Sequence, residues 1–536
     1  MRRTHYLTIT CGLLLAGTVL WAGCGTAQSD CFDGLGACAD LFTGGGGGST
    51  TSSTTSTMTT TSSMMTSSST GMDPDCLGEI KEGMTAADIE RLISDKCGVF
   101  VQADTAGAPG NGTQASPFAS LQKAISVASG RNVYVCTSAP FVEAITIAGP
   151  VLVYGGFDCT AGWTYSKSTR SNIEAPVDAV AVTIVGKGVY LSNLGITANK
   201  AKAVGASAIA VLVRGAEADL DGCVIEAGDG VPGSDGMDGG PTNTKVGTKG
   251  ADGINACTDP ANNPGGIGPT SMCGLDTSTG GDGGSGKPGG GLNGSAGLPG
   301  TAGKAGLGDV DCGAAEPNGS GDGGVSGMEG TAGASGAGKG TLDGVAGYIG
   351  TNGGPGGAGT PGQGGGGGGG AKGGVICSGV SGAGASGGSG GSGGCGGLAG
   401  QGGRAGGSSI AIASVDSAVK LMDCSLKSGK GGNGGKGGDL QAGASGGDPG
   451  KGGTGIGGSK DACAGGKGGQ GGNGGPGGGG QGGHSLTIAY LGKPVTKIGT
   501  VEQVPGAIGN GGSGGSGNVK GNAGEKGVAM KELLFP

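Results

Sequence analysis

Few side chains in this sequence could do chemistry, and their spacing limits what they could do. The chain has two histidines, His5 and His484. His5 lies in an apolar N-terminal stretch, so His484, at the start of the predicted strand SLTIA (485–489), is the one candidate base. A serine or cysteine nucleophile needs a histidine oriented by a third group. No motif around His484 supplies one, so a turn or surface position is expected for it. Asp219 and Asp221 form the one close carboxylate pair on a predicted strand. Two positions apart on a strand, they share a face. Such a pair could serve a glycoside hydrolase, or a lyase if calcium and a basic residue joined it; a solvated strand face is the expected reading. GDGGSGKP (281–288) and GASGAGKG (333–340) approach a phosphate loop, but each lacks Ser or Thr after the lysine and neither follows a strand. Asp229, Asp235, Asp238 and Asp282 do not fit the GGxGxD pattern of calcium-binding repeats. No Cys/His cluster has zinc spacing. The expectation is no catalytic residue, no metal site and no cofactor, with Trp163 the one tryptophan after Trp21.

The cysteines speak for a compartment instead. Arg2 and Arg3 precede an apolar run from Tyr6 to Leu20, in the order of a secretory signal peptide. The following Leu20-Trp21-Ala22-Gly23-Cys24 resembles the lipobox of bacterial lipoproteins, departing from it at Trp21, where that family has Leu. The resemblance implies cleavage after residue 23 and lipidation of Cys24; the alternative is ordinary cleavage near Ala27 and release. The apolar run is too short to favour a membrane span. Of 16 cysteines, Cys11 falls in the leader and Cys24 at the anchor, leaving 14 for an oxidising compartment. Cys31 with Cys38, Cys76 with Cys97, and Cys136 with Cys159 are candidate local disulfides.

The elements that would position these residues divide the chain by composition. Residues 1–23 are the leader, and 24–75 the anchor region with a Ser/Thr-rich tether able to accept O-glycans. Residues 76–98 read as a small disulfide-tied helix, with Thr85 and Asp88 at its start and Ile89, Leu92 and Ile93 on one face. A second helix follows Ser116-Pro117, carrying Leu121, Ala124, Ile125 and Ala128. Strands with period two then begin at Val133, Ile145 and Val151. Over 99–228 a repeat emerges: Val180, Val182, Leu191, Leu194, Ile196 and Ala198 recur, at one constant offset, as Ile209, Val211, Leu220, Cys223, Ile225 and Ala227. They recur at a second, longer constant offset as Ile410, Ile412, Leu421, Cys424, Leu426 and Ser428, within 408–428, and SIAIA (409–413) returns as SLTIA (485–489). A fixed period of short strands, none able to bury its face alone, predicts an all-β solenoid, a parallel β-helix. Glycine-rich insertions at 229–407 and 429–483 leave it from one corner, and 484–536 returns to strands with a short glycine-rich loop. Cys223 and Cys424 should then be neighbours, either as small buried residues or as a disulfide.

Glycine supplies 143 of 536 residues and aromatics 3%. With no side chain to bury and the largest entropy to lose, these insertions cannot build an apolar core. Collagen is excluded, because 21 prolines are too few. In GKGGQGGNGGPGGGGQGG (466–483), glycine recurs at every third position from Gly468 to Gly483, and the run from Gly344 to Gly368 has the same period. Polyproline-II-type chains have three residues per turn and no internal hydrogen bonds. Glycine on one side lets such chains approach and bond through their backbones. Polyglycine-II bundles are one expectation, and a disordered low-complexity loop the other.

PFASLQKAI (117–125), VYVC (133–136) and VLVYGGF (151–157) resemble the N-terminal part of bacterial pectin-lyase-like, right-handed parallel β-helix surface proteins. GGNGGKGG (431–438) and GGQGGNGGPGG (468–478) are similar to the PGRS repeats of PE-PGRS proteins, whose PE domain is absent here. Together they imply a glycine-rich surface lipoprotein, and Gly25 after Cys24 implies the outer membrane. A net charge of −8, near −10 once Arg2 and Arg3 are removed, argues against nucleic acid or anionic lipid as partner. The expected function is non-enzymatic: a cell-surface or secreted protein meeting extracellular polysaccharide or matrix, or itself, with the membrane touched only through the lipid. The alternatives are a polysaccharide lyase or hydrolase and a carbohydrate- or ice-binding module.

Overall fold

A computed structural model describes residues 76, 78, 80–103, 110–241, 245–313 and 317–536. The leader, Cys24 as lipid attachment, the candidate pair Cys31–Cys38 and the Ser/Thr tether lie outside the described residues.

Among the described residues the regular elements are almost all strands. Two seven-residue helices stand near its start, α1 (Ala86–Leu92) and α2 (Leu121–Val127). The Thr85 hydroxyl caps α1 by accepting from the Asp88 amide at 3.1 Å. Ser120 caps α2, and the Glu143 carboxylate accepts from the Leu121 and Gln122 amides at its N-terminus. Leu121 and Ala124 are buried in the main core. The strands form three sheets of six, eight and six strands, parallel except for one short antiparallel strand, Thr164–Tyr165, in the second, together with three two-stranded antiparallel hairpins. Successive strands visit the sheets in rotation. Val182–Ile184 lies in the first sheet, Val189–Ser192 in the second and Leu194–Ala198 in the third. Ala208–Arg214, Glu217–Asp221 and Val224–Ala227 repeat the cycle, as do Ser409–Val415, Ala418–Met422 and Ser425–Ser428.

The repeat alignment of the sequence is the hydrogen-bonding register. Val182 pairs with Val211 and Val211 with Ile412; Leu191 pairs with Leu220 and Leu220 with Leu421. Ile196, Ile225 and Leu426 stack likewise in the third sheet. Like residues therefore lie on like residues, and the inward rows of all three sheets form one apolar core. The turn between the second and third sheets recurs as Asn193, Gly222, Asp423 and Gly499, all at positive φ. Glycine and short Asx side chains adopt that conformation at least cost.

Two outer layers cover the sheets. Over the second sheet's N-terminal strands, Phe100, Tyr134, Tyr154, Phe157 and Trp163 pack with Leu92 and Ile93. Trp163 is 3% exposed and edge-on to Phe100, which removes it as a surface for sugar stacking. Over the first sheet, Leu342 and Tyr348 of the hairpin Thr341–Asp343/Gly347–Ile349, with Leu533 and Phe535, cover Ile209, Ile410 and Leu486. The middle strands Ala208–Arg214, Ser409–Val415 and Ser485–Leu491 are thereby buried on both faces, which is why they read as nearly continuous apolar runs.

The glycine-rich segments are ordered by backbone hydrogen bonds at period three. Gly324, Gly327, Gly330, Gly333 and Gly336 donate in turn to the carbonyls of Lys467, Gln470, Asn473, Pro476 and Gly479. The run 364–370 shows why no other residue would do. Its amides donate in rotation to three segments: Leu292, Ser295 and Leu298; Gly319 and Asp322; Gly388 and Gly391. Its carbonyls accept from three others, through Gly281 and Gly284, Gly306 and Asp309, and Cys463 and Gly466. A Cβ on Gly364, Gly365 or Gly366 would sit 1.9, 2.1 or 1.8 Å from a carbonyl oxygen of a neighbouring segment. Six neighbours leave no side on which a side chain could fit. Disulfides Cys257–Cys377, Cys273–Cys395 and Cys312–Cys463 tie these segments together.

Candidate binding groove

The carboxylates singled out in the sequence are already engaged. Asp219 and Asp221 share the outer face of the second sheet. The Lys420 ammonium lies 2.7 Å from Asp219, and the Tyr190 hydroxyl donates to Asp221 at 2.9 Å. Burial, followed by the Asp221 charge, raises the Tyr190 pKa, so the hydroxyl remains a donor. Each carboxylate thus meets a partner on the adjacent strand.

His484 lies immediately before the strand Ser485–Leu491, as expected, but it is neither a turn nor a surface residue. It is 1% exposed, because Tyr348 and Phe535, distant in sequence, close over it edge-on. Its Nδ1 accepts from the Val528 amide at 2.9 Å, and Nε2 lies 3.0 Å from the Lys339 carbonyl. The ring is thus the neutral Nε2–H tautomer, with both nitrogens bonded to backbone.

The two glycine-lysine stretches direct their amides elsewhere. Gly281, Gly283, Gly284 and Gly286 donate to other glycine-rich segments, and Gly333 and Gly336 to Pro476 and Gly479. These donors are not available to cradle a phosphate. The aspartates outside the calcium pattern have a structural role the sequence did not announce. Asp229, Asp235 and Asp238 accept from the amides of Lys430, Lys436 and Asp439, and Asp282 accepts from Gly268. Among the described residues, no group of three or more His, Cys, Asp or Glu could hold a metal ion.

Cys76–Cys97 and Cys136–Cys159 are disulfides. The Cys223–Cys424 disulfide considered from the sequence is not formed: both are free and buried. The Ser425 amide donates to the Cys223 carbonyl, which sets the two cysteines one above the other. Each thiol nevertheless turns to main-chain carbonyls, Cys223 to Leu191 and Asp221, Cys424 to Leu220 and Met422. The Cys424 side chain and complete burial push the Cys223 pKa up, which holds it as a thiol.

A groove of ≈ 380 Å³ opens at the corner where the glycine-rich segments leave the third sheet. Three consecutive layers build it. Lys200 and Lys202 follow Leu194–Ala198, Asp229 to Pro232 follow Val224–Ala227, and Lys430 follows Ser425–Ser428. Lys200 lies 3.8 Å from Asp229, whose other oxygen holds the Lys430 amide at 2.8 Å. Asp178 takes the Lys202 and Ala203 amides, which lower its pKa. Lys200, Lys202 and Lys430 therefore line one groove with Val231 and Pro232, and Asp229 is the one acidic residue among the lining residues. No sequence motif marks this groove, because Lys430 is far along the chain from Lys200 and Lys202 and only the register unites them. No protein-family model, curated protein or solved structure matches this chain.

Proposed function

We propose that this is a non-enzymatic display protein of the bacterial surface or its surroundings. In this reading the three rotating parallel sheets are the faces of a right-handed parallel β-helix of the pectin-lyase-like kind. The glycine-rich segments form a polyglycine-II bundle seated on it, reminiscent of PGRS repeats. Six backbone-bonded neighbours around the run 364–370 support the bundle. Five disulfides support export. Anchoring in the outer membrane through lipid on Cys24 belongs to the same proposal.

The partner is an extracellular polysaccharide bearing anionic groups, held at the groove of Lys200, Lys202 and Lys430. The observation that carries this is that three lysines from two separate layers, with Val231 and Pro232, line one groove at an ordered corner. Exposed lysines give weak, salt-screened contacts, and repetition along a polymer turns them into avidity. The test incubates the mature chain with acidic and neutral polysaccharides, following bound protein and polymer length together. Expected are saturable, salt-sensitive binding to the acidic polymers, unchanged polymer length, and loss of binding in a Lys200→Ala/Lys202→Ala/Lys430→Ala variant. Shortened polymer would overturn the non-enzymatic reading. Binding that survives the triple substitution would overturn the assignment to the groove.

A further inference from the structure

Three parts of the chain distant in sequence meet at His484. The first is the loop 338–340, which leads into the hairpin covering the first sheet. The second is the strand His484 precedes, and the third is the last strand, Ala529–Leu534. The Lys339 carbonyl lies at Nε2 and the Val528 amide at Nδ1. The same loop is fastened again by the Gly338 amide to the Glu525 carboxylate (2.8 Å), by the Lys339 ammonium to the Leu534 carbonyl (3.0 Å), and by the Gln481 side chain to the Gly338 carbonyl. Tyr348 and Phe535 close over the ring at centroid distances of 5.3 and 6.4 Å. The loop and the residue before the last strand thus meet at one imidazole, while the last strand is itself the edge of the first sheet, paired with Ser485–Leu491.

Adding a proton to this ring has one consequence the geometry does not accommodate. The proton goes to Nδ1, which then presents an N–H to the N–H of Val528. An imidazolium would also stand between two aromatic rings, with Lys339, of like sign, in the contacting loop. The other charged groups on the packed elements are Asp343, whose carboxylate accepts from the Val345 and Ala346 amides, Glu525, which holds Gly338, Lys526, and Lys531 and Glu532, the latter paired with Lys497. The hydrogen bonds of His484 go to backbone and to the Ser408 hydroxyl, and none goes to a carboxylate.

We infer that His484 is an acid-operated latch: its protonation releases Val528 and Lys339, and so loosens the hairpin 341–349 that follows the loop and the pairing of the last strand at the edge of the first sheet. The direction of the titration agrees. Burial lowers the His484 pKa, so the folded state prefers the neutral ring. The stabilisation is complete above the pKa of a free histidine, about 6.5. It is lost as pH falls below that value, because the open form binds the proton first. Mild acid would thereby loosen the covering layer while leaving the inner core in place.

The test is hydrogen exchange on the full chain between pH 7.5 and 5, corrected for intrinsic rates. The opening constant of amides in 341–349 and Ala529–Leu534 should rise up to about tenfold per pH unit below about 6.5, the slope for one linked proton. Amides of Val189–Ser192 should not change. His484→Gln keeps an acceptor and a donor but does not titrate, so its profile should be flat. A flat wild-type profile, or an unchanged slope in His484→Gln, would overturn the latch. So would a slope abolished by Glu525→Gln with His484 intact. Where His484→Gln folds poorly, imidazole nitrogen shifts in the wild type decide: titration below the free value, in step with exchange, supports the latch, and titration at the free value overturns it.

Discussion

Replacing one buried glycine separates an ordered bundle from a slack loop. Gly472 lies where the segments 466–483 and 321–336 touch. An alanine Cβ there would stand 1.9 Å from the Met328 carbonyl oxygen. An ordinary carbon–oxygen contact is about 3.3–3.6 Å, so the segments must part by about 1.4 Å. The bonds spanning that junction, Gly327 to Gln470 and Gly330 to Asn473, are both 2.8 Å long. Lengthened by that much, neither survives as a hydrogen bond. Each is worth about 0.5–1.5 kcal/mol, and a buried donor left unpaired costs about 1–3 kcal/mol. With two donors left unpaired the loss is therefore about 2–6 kcal/mol, offset by about 0.4–1 kcal/mol from the stiffer unfolded chain. Lys467→Ala is the control. It removes a lysine ion-paired to Asp448 at 3.4 Å, with both side chains well exposed, and should cost under about 1 kcal/mol. Hydrogen exchange at Gly327, Gly330 and Thr360 reads the difference locally, and denaturant unfolding reads it globally. If Gly472→Ala is no more destabilising than Lys467→Ala and leaves those amides protected, the close approach of these segments is wrong.

Other perturbations should act on the remaining layers. Leu220→Ala, between Leu191 and Leu421 and fully buried, should lower unfolding stability by about 2–5 kcal/mol, whereas Leu275→Ala on an exposed hairpin tip should change it by less than about 0.5 kcal/mol. In the native chain Cys223 and Cys424 should resist alkylation. In denaturant without reductant both should react, while the cysteines of the five described disulfides stay protected until reductant is added, as peptide mass spectrometry would show. The paired substitution Cys257→Ser/Cys377→Ser opens a loop closed over 120 residues and should cost about 2–5 kcal/mol, with added proteolysis near residues 257 and 377.

What the sequence disclosed was whatever repeats by position. Val182, Val211 and Ile412 are recognisable as equivalents because each strand's inward row must match the one below it, and the structure pairs them. The positive-φ turn went unread, although Asn193, Gly222, Asp423 and Gly499 are residue types that tolerate it. Spatial neighbours with no fixed spacing stayed hidden. Glycine carries no mark of its neighbour, so the period of three announced contact without naming which of the surrounding segments meet the run 364–370. Cys257 and Cys377 lie 120 residues apart, and only the folding back of the segments brings them together. His484 was visible as the start of a strand, but its burial depends on Tyr348, far before it, and Phe535, far after it. For Cys223 and Cys424 the stacking was legible and the side-chain rotation was not.

The sheets and the glycine-rich segments are one ordering rather than two. In the third sheet Val224 pairs with Ser425, and Ser425 with Glu502. Beyond the strands the same register continues, each amide bonding the carbonyl one residue before its partner. Gly230, Gly233, Gly236 and Gly239 donate to Lys430, Asn433, Lys436 and Asp439, while Gly431, Gly434 and Gly437 donate to Ala507, Asn510 and Ser513. Asp229, Asp235 and Asp238 repeat the longer offset through their side chains. A segment leaving the third sheet thus begins already aligned with its neighbour, and forming the next backbone bond fixes few further dihedrals. That resembles elongation more than nucleation of new structure. It also explains how a stretch with almost no apolar side chain can be ordered. The sheets, which hold the large core, set the register, and glycine, by removing every Cβ from the contact, lets the backbone bonds continue it outward. The exposed lysine corner sits at the point of that handover, so the groove inherits its geometry from the register of the core.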